Sequence, residues 1–428
     1  MTNYTTETYQ TKRDILNFTQ KVSTGVRKPV MKMTKDMTYG MLASRNCQLT
    51  KIASSLKEKD TTKLANTVDR LSTNLNNLDI EDKKILIKNY YKEIMKYLPE
   101  DSVIVLNDDT DINKEYSKKL ENLCTVRDAS SQIERYVNGY KVCEYVALTE
   151  KTKTPVSLYS KIYSTESDSF VSENEETKLG EQKVISILKQ YNKKPIFVRD
   201  RGYDANEFLI SDIKNDIKFV TRLKGNRHLL FKEKKRIVEK VVKERKGKIV
   251  TKLIYRGENK ECSISYTKVK LPTYKEKDIT LVTIHGLSDD GIPMMLLTNL
   301  DVNDKVSAEH IVRLYFLRWR IEEYFKAKKS FNWENSLLRT LESMNNLNLF
   351  LTMAMTHIAI LVEKKDKNFH SNIILERANS IKKEYLVYLS TMATGIVEIL
   401  KYARTGIRDW HTKKDKNKGQ LQFKLMLE

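Results

Sequence analysis

Runs of hydrophobic and polar positions divide the chain into a helical stretch and a strand-rich stretch. Residues 1–100 follow the three-to-four-residue spacing of amphipathic helices, most clearly in Leu49–Leu56 and Thr62–Leu75. The polar break Lys57–Asp60 separates these two predicted helices. The pair is either a helix-turn-helix that binds DNA or an ordinary helical hairpin, and the pattern leaves both open.

Short strands and helices alternate from residue 101 onwards. The predicted order is strand, strand, strand, helix, strand, helix, strand, then a long insert, then a helix. The segments in that order are 103–106, 139–148, 155–163, 180–191, 195–198, 204–213, 219–223, the insert 226–304 and the helix 307–330. Apart from the insert, this is the order of an RNase H-like fold of the α+β or α/β class, with a mixed sheet flanked by helices.

The insert has β-rich composition from Lys248 onwards, and an excursion of that length without structure is improbable. We expect a small β-rich subdomain in which Met294–Leu297 can rejoin the main sheet. Leu349–Val362 is apolar but short and includes Thr352 and His357, so it predicts a buried core helix and no membrane span.

These patterns predict five regions. They are a helical region at 1–100, the first part of the mixed-sheet core at 101–225, the β-rich insertion at 226–304, the core helix at 305–345, and a helical C-terminal region at 346–428.

A large positive charge indicates what kind of partner the protein binds. The formal net charge is +21, with ten Lys/Arg against two acids in residues 12–57 and ten against three in 231–253. The tail adds Lys413, Lys414, Lys416 and Lys418. Such a surplus favours a polyanion, above all nucleic acid, as the partner, because each neutralised phosphate releases a counterion. The alternative is a basic protein without a polyanionic partner.

Cysteine usage argues against a zinc site or a disulfide framework. The four cysteines are far apart, and the chain has no CxxC motif. This composition fits a reducing cytosol, and for a DNA-binding protein we expect a cytoplasmic, nucleoid-associated location.

One face of the predicted helix 307–330 carries the sharpest chemical signal. At about 100° per residue, Tyr315, Arg318, Glu322 and Lys329 fall in one stripe about 60° wide. Glu323 lies about 100° away, so Glu322 is the candidate functional acid and Glu323 a solvated or structural neighbour. The alternative is a surface ladder of ion pairs on an amphipathic helix.

Two aspartates follow predicted strands that are neighbours in this fold order. Asp108 comes after 103–106 and Asp200 after 195–198, so their carboxylates and that of Glu322 can converge. Convergent carboxylates repel one another and suit Mg²⁺ or Mn²⁺, and two such ions can drive an in-line displacement at phosphate. The alternatives are that Asp108 caps a following helix and that Asp200 serves a turn.

These residues resemble the bacterial insertion-sequence DDE transposases with a Tyr-Arg-Glu-Lys signature. The signature Y-x2-R-x3-E-x6-K is matched at every spacing by Tyr315, Arg318, Glu322 and Lys329. The D-x-[ST]-x-[IL] segment of that family fits at Asp108, which selects it over Asp109 and Asp111, and D-x-G-[YF] fits at Asp200. The resemblance covers about residues 30–345 and includes the β-rich insertion. It implies that 1–100 is a DNA-end-binding domain, that 101–225 and 305–345 form the catalytic core with the Glu-bearing helix in its second part, that 346–428 is a candidate for dimerisation, and that the partner is double-stranded DNA.

The resemblance implies a role for each residue. Asp108, Asp200 and Glu322 would hold two Mg²⁺ ions, with Mn²⁺ as a substitute, while Arg318 and Lys329 would contact transposon-end phosphates and Tyr315 would bond a phosphate near the cut. Trp319 would either stack on DNA near the cut or pack in the core. Some family members flip a base into an aromatic pocket of the insertion, but no tyrosine of this insertion is singled out by its spacing.

The implied reaction is cut-and-paste transposition by a homodimer that binds terminal inverted repeats and target DNA. Two alternatives remain at this point. One is an RNase H-like nuclease or resolvase that cuts without joining, and the other is a catalytically silent DNA-binding derivative.

Overall fold

The computed structural model describes most of the chain. The described residues are 4–58, 61–128, 133–245, 247–255, 257–287, 291–378 and 388–407. The basic tail at 413–418 and the end of the break at 57–60 lie outside them.

The N-terminal region is a bundle of amphipathic helices. The predicted helices at 49–56 and 62–75 are confirmed as α3 and α4. In α4 the side chains that face the core are Thr67, Leu71 and Leu75, four residues apart. The bounds in this region are α1 (Tyr4–Val22), α2 (Lys28–Ser44), α3 (Leu49–Ser55), α4 (Leu64–Asn76) and α5 (Ile80–Ile94).

A mixed sheet follows the helices. The strands and helices, in chain order, are β1 (Ser102–Asn113), β2 (Cys124–Arg127), β3 (Tyr136–Leu148), β4 (Pro155–Tyr163), α6 (Glu173–Gln190), β5 (Lys194–Arg199), α7 (Asn206–Lys214) and β6 (Lys218–Arg222). The central order is β4-β3-β1-β5-β6, with β1 antiparallel to β3 and parallel to β5, and β5 parallel to β6. The predicted fold class, a mixed sheet flanked by helices, is confirmed, and this order is consistent with an RNase H-like arrangement.

Three local features of this part of the chain do not follow from the hydrophobic pattern. The polar stretch 107–111 continues strand β1, because β3 pairs with β1 as far as Asn113. The short strand β2 lies outside the predicted segments. The polar stretch 165–176 already contains the start of α6, whose first turn is capped by Ser172, which accepts a hydrogen bond from the Glu175 amide at 3.1 Å.

The insertion extends the main sheet. Its elements are β7 (His228–Phe231), β8 (Lys234–Ile237), α8 (Val238–Lys243), β9 (Ile249–Tyr255), β10 (Glu258–Leu271), β11 (Tyr274–His285) and β12 (Met294–Thr298). Strand β12 pairs antiparallel with β6, and the order continues β12-β11-β10-β7-β8. The inserted strands therefore share hydrogen bonds with the main sheet.

The single helix predicted at 307–330 is two helices. They are α9 (Lys305–Phe316) and α10 (Trp319–Lys329). At the junction the Leu317 amide donates to Leu314 O at 3.2 Å and the Arg318 amide to Tyr315 O at 2.9 Å. These three-residue hydrogen bonds tighten the chain into a 3₁₀ turn and separate Tyr315 from the helix that carries Glu322.

The C-terminal helices close the core against the N-terminal bundle. They are α11 (Leu341–Glu363), α12 (Phe369–Arg377) and α13 (Tyr388–Leu400). Helix α11 is long and apolar enough to cross a membrane, yet 89% of its most apolar window is buried inside the protein. The predicted buried core helix is therefore confirmed.

Candidate active site

Asp108 and Asp200 lie at matching positions on neighbouring parallel strands. The last pair between β1 and β5 joins Leu106 to Val198, and each aspartate stands two residues further on. Strand β1 continues past Asp108, so Asp108 caps no following helix, whereas β5 ends and Asp200 opens a 3₁₀ turn. Asp200 accepts a hydrogen bond from the Arg201 amide at 2.8 Å, which restrains its carboxylate.

Alternation along β1 separates Asp108 from the acids beside it. Asp109 is exposed, and its cross-strand partner is Cys143, whereas the partner of Asp108 is Glu144. Successive side chains of a strand point to opposite faces of the sheet. Asp108 is therefore on the face covered by α10, where it is paired with Arg318, and Asp109 is on the other.

Arg318 joins two carboxylates from different parts of the chain. Its Nη1 lies 3.4 Å from Asp108 Oδ2, and its Nη2 donates to Glu322 Oε1 one helical turn on. The Arg318 side chain is 13% exposed, so water screens these pairs only partly. A carboxylate of β1 and a carboxylate of α10 therefore contact the same guanidinium.

Tyr315 connects the same group to Asp200. Tyr315 is buried in α9, and its hydroxyl donates to Asp200 Oδ1 at 3.0 Å. Burial and the charge of Asp200 raise the pKa of the Tyr315 hydroxyl, so the hydroxyl remains a donor. Five sequence-predicted residues are therefore brought together: Asp108, Asp200, Tyr315, Arg318 and Glu322.

The electrostatics of this group disfavour charge on Asp108. Its partly enclosed position raises the pKa of Asp108 to about 6, and the charges of Asp200 and Glu322 act in the same direction. Arg318 opposes that shift. Burial alone would lower the pKa of Arg318, but the charges of Asp200 and Glu322 and the hydroxyl of Tyr315 raise it. The site thus holds mutually repelling carboxylates around one cation.

The donor chemistry fits a hard divalent cation, while the present spacing does not form a ligand cage. Carboxylate oxygens are the ligands that Mg²⁺ and Mn²⁺ prefer. In the part of the chain that the structure describes, no three His, Cys, Asp or Glu side chains are grouped closely enough to hold a metal ion. The Arg318 guanidinium occupies the interval between Asp108 and Glu322.

An ion pair fixes α10 to the sheet beside Asp108. Lys328 Nζ lies 2.7 Å from Glu144 Oε2, and both side chains are fully buried. Ser160 Oγ also donates to Glu144 Oε2 at 2.7 Å. Removing one partner of such a pair is costly, so the pair fixes the position of the helix that presents Glu322.

The other signature positions lie at the margin of the group. Lys329 is paired with Glu334 at 3.1 Å and touches none of the three carboxylates. Trp319 is 40% exposed, with Lys326 Nζ 5.5 Å from the ring centre, so core packing is the wrong interpretation of Trp319. Glu323 is 8% exposed and paired with Arg320 at 3.0 Å, which makes it structural and excludes the solvated alternative.

A basic cavity beside Asp200 was missed from the sequence. It measures about 660 Å³ and is bordered by Arg201, Arg222 and Lys224 together with Asp200 itself. Arg222 is the last residue of β6, the strand next to β5. Its positive charge partly offsets the rise in the pKa of the Tyr315 hydroxyl. The strand-end rule that selected Asp200 would also have found Arg222, because the carboxyl ends of parallel neighbours meet at one edge.

Comparison with known proteins gives one family match. The family model described as "Transposase DDE domain" matches residues 170–356, which include Asp200 and Glu322 but begin after Asp108. No curated protein is similar enough to match. A solved structure, the NurA nuclease from Sulfolobus solfataricus, is 12% identical over 56% of this chain and 83% of its own, with a TM-score of 0.25, too low to carry an argument.

Proposed function

The chain carries a transposase DDE domain, and from that premise we propose that it binds the terminal inverted repeats of an insertion sequence and catalyses cut-and-paste transposition. The observation that supports this proposal best is the contact of Arg318 with both Asp108 and Glu322, while Tyr315 holds Asp200. A surface ladder of ion pairs along one helix would not reach two separate strands of the sheet.

Asp108, Asp200 and Glu322 are the proposed ligands of two Mg²⁺ ions, for which Mn²⁺ can substitute. When bound, such ions supply the activation of a water or 3′-hydroxyl and the stabilisation of the leaving oxygen at phosphate. Tyr315 orients the Asp200 carboxylate through its hydroxyl. Arg318 offsets the repulsion between Asp108 and Glu322 and offers a fork that matches a phosphate of the transposon end.

DNA contacts are proposed for residues around this group that solvent can reach. Lys329 and Arg222, both half-buried, would bind the DNA backbone as charges, and Trp319 is 40% exposed, so a base or sugar can stack on its ring. The helices α3 and α4 are the proposed reader of the end sequence. Arg70, the single Lys or Arg of α4, is paired with Asp36 at 2.9 Å, so base contacts would come from the polar side chains of α4.

A homodimer in the cytosol, associated with the nucleoid, would hold two ends in one complex. The reaction itself requires two ends to be paired. Most of the surface of α11 is buried within the chain, so the exposed face of α12 and the half-buried face of α13 remain the candidates for the contact between copies.

The direct test is the substitution Glu322→Gln, compared with Glu323→Gln as a matched control on the same helix. We expect Glu322→Gln to abolish Mg²⁺-dependent nicking of element-end DNA and to leave end binding in a gel-shift assay unchanged. Glu323→Gln, which alters a carboxylate that faces Arg320, should retain nicking. Nicking by Glu322→Gln at the wild-type rate would refute the assignment.

Pre-cut ends incubated with a target plasmid separate the proposed reaction from its alternative. Joined products support strand transfer. Cleavage of intact ends without joining would instead identify a nuclease or resolvase, and end binding without either product would identify a silent DNA-binding derivative.

A further inference from the structure

A second cavity lies where the N-terminal helices meet the catalytic sheet. It measures about 620 Å³ and follows the outer edge of β4 between α5, α6 and α11. Two hydroxyls of α5 hold that edge, since Tyr90 donates to Ser157 O at 2.7 Å and Tyr91 to Leu158 O at 2.9 Å. The volume is within the usual range of ligand pockets.

The floor of this edge cavity contains a buried amide with an unused acceptor. Asn348, on α11, is 1% exposed and lines the cavity. Its Nδ2 donates to Ser160 Oγ at 2.8 Å, while its Oδ1 has no hydrogen-bond partner among the described residues. Buried polar atoms in folded proteins are nearly always bonded, so this acceptor is available to a ligand with an N–H or O–H group.

The walls of the edge cavity are aromatic and aliphatic. Tyr159 and Tyr191 are half-buried along it, and Ile87 and Leu349 add apolar surface. A planar ring can lie against such walls, because every nucleobase has a π face that stacks on an aromatic side chain.

The rim of the edge cavity carries unneutralised positive charge. Lys88 and Lys183 are exposed and have no ion-pair partner within the described part of the chain. Lys83 and Lys161, also on the rim, are paired with acids at 2.7 and 2.5 Å. Two free ammonium groups beside a cleft lined with rings favour a ligand that joins a ring to a phosphate.

We propose that the edge cavity binds a nucleotide: the base lies between the tyrosine walls and donates to Asn348 Oδ1, and the phosphate meets Lys88 and Lys183. The source is an unpaired nucleotide of the DNA substrate, and to that extent the inference rests on the proposed function. Ser160 pairs in register with Glu144, which pairs with Asp108. Two strand spacings, about 10 Å, therefore separate the edge of the cavity from the carboxylates.

The probe for this proposal is a DNA duplex with one unpaired 2-aminopurine, titrated against the full chain by fluorescence anisotropy. In the double variant Lys88→Glu/Lys183→Glu, affinity for this DNA should fall about tenfold or more. The slope of log affinity against log salt should shrink by about 0.7, because one single-strand phosphate contact is lost. Affinity for the fully paired duplex of equal length should be unchanged.

The matched control is Lys92→Glu/Lys189→Glu. These exposed lysines belong to the same two helices, α5 and α6, and do not line the cavity. The charge change is identical, so equal losses in the two double variants, or no loss in either, would overturn the proposal. Wild-type binding of free dAMP without binding of the bulged base would overturn the DNA source.

A floor variant tests the base contact independently of charge. Asn348→Leu should retain anisotropy-detected binding of the fully paired duplex and lose the quenching of 2-aminopurine that stacking produces. Unchanged quenching in a folded Asn348→Leu variant would contradict the proposal. Binding is measured with Glu322→Gln as well, so failure of the cleavage assignment and failure of the cavity are distinguishable.

Discussion

Arg318 acts as an internal counter-ion among the candidate ligands. It bridges Asp108 and Glu322, the two carboxylates that a divalent ion would also have to bring together. A bound divalent ion would therefore compete with the guanidinium for the same oxygens. That competition would lower the affinity for the ion before DNA arrives, and a phosphate that draws Arg318 away would favour binding of the ion.

Removal of Arg318 should therefore strengthen the response to metal. In Arg318→Ala the two carboxylates lose their cation, so we expect about tenfold tighter Mg²⁺ binding, equivalent to about 1.4 kcal/mol of additional stabilisation at saturating ion. The measurement is the thermal shift on Mg²⁺ addition without DNA. Arg320→Ala, which affects the partner of Glu323, is the control. Equal shifts in the two variants would contradict competition at this site.

The site could be predicted from the sequence where the signal is local. Helical spacing from Glu322 to Lys329 lies wholly within α10, and the structure places Glu322 and Glu323 in different surroundings, as that spacing predicted. The strand-end position of Arg222 is likewise visible in the sequence, whereas its approach to Tyr315 and the contact of Lys329 with Glu334 depend on chain segments that meet only in the fold. Spacing along one element carries no information about such meetings.

At the scale of elements, two histidines join α11 and α12 to α1. The His357 ring lies 5.4 Å from that of Phe18, and His370 Nε2 lies 3.0 Å from Thr11 Oγ1. Burial, with a smaller contribution from the charge of Lys364, lowers the pKa of His357 to about 3. Burial also lowers the pKa of His370 to about 4, against the opposing charge of Glu7. Both rings are therefore neutral in the folded protein at neutral pH.

Acid should destabilise the contact of α11 and α12 with α1 before it destabilises other parts of the fold. Below pH 6.5 the unfolded chain binds protons that the folded chain excludes, so the free energy of unfolding falls as pH falls towards about 4. Each histidine contributes a slope of about 1.4 kcal/mol per pH unit in that window. The free energy of unfolding is measured with urea at pH 6.0, 5.5 and 5.0. His370→Gln should remove the contribution of His370 to the pH slope, whereas the control His310→Gln, at an exposed position, should leave the slope unchanged. An unchanged slope in His370→Gln would place the acid sensitivity elsewhere.

Elements with strong internal periodicity were predictable, and those set by their neighbours were not. Pro155–Tyr163 was predicted at its observed bounds because its apolar run ends in polar residues on both sides. Strand β1 continues through Asp108 and Asp111 because β3 supplies a ladder to polar residues that would otherwise form a turn. The break between α9 and α10 at Leu317 was not predicted, because the hydrophobic residues on both sides keep the spacing of one continuous helix.

At the scale of the molecule, the two ends of the chain share one core. Asn346 of α11 donates to Leu75 O of α4 at 2.9 Å, and Arg45 after α2 donates to Thr394 and Ser390 of α13, both at 2.6 Å. Arg45 also reaches Ser330 beside α10 at 3.0 Å. The proposed DNA-end-binding helices are thus packed against the part of the chain that carries Glu322.

This shared core predicts one cooperative unfolding transition. In a Trp410→Phe background, fluorescence reports Trp319 and Trp333 at α10, whereas far-ultraviolet circular dichroism reports helices throughout the chain. The two probes should give the same urea midpoint within error. A separate loss of helix signal before the fluorescence change would show that residues 1–100 unfold independently.

The pairing of β12 with β6 has a consequence for how such a chain could have arisen. These strands are antiparallel neighbours, with Arg222 opposite Leu296, so a tight hairpin could once have joined them directly. Growth at the tip of that hairpin would have added β7 to β11 without moving either parent strand, since the entropy of closing a loop rises only slowly with its length. On this view the ancestor was a smaller enzyme with the same carboxylate edge, and a trimmed descendant that keeps β12 is the natural starting point for reconstructing it.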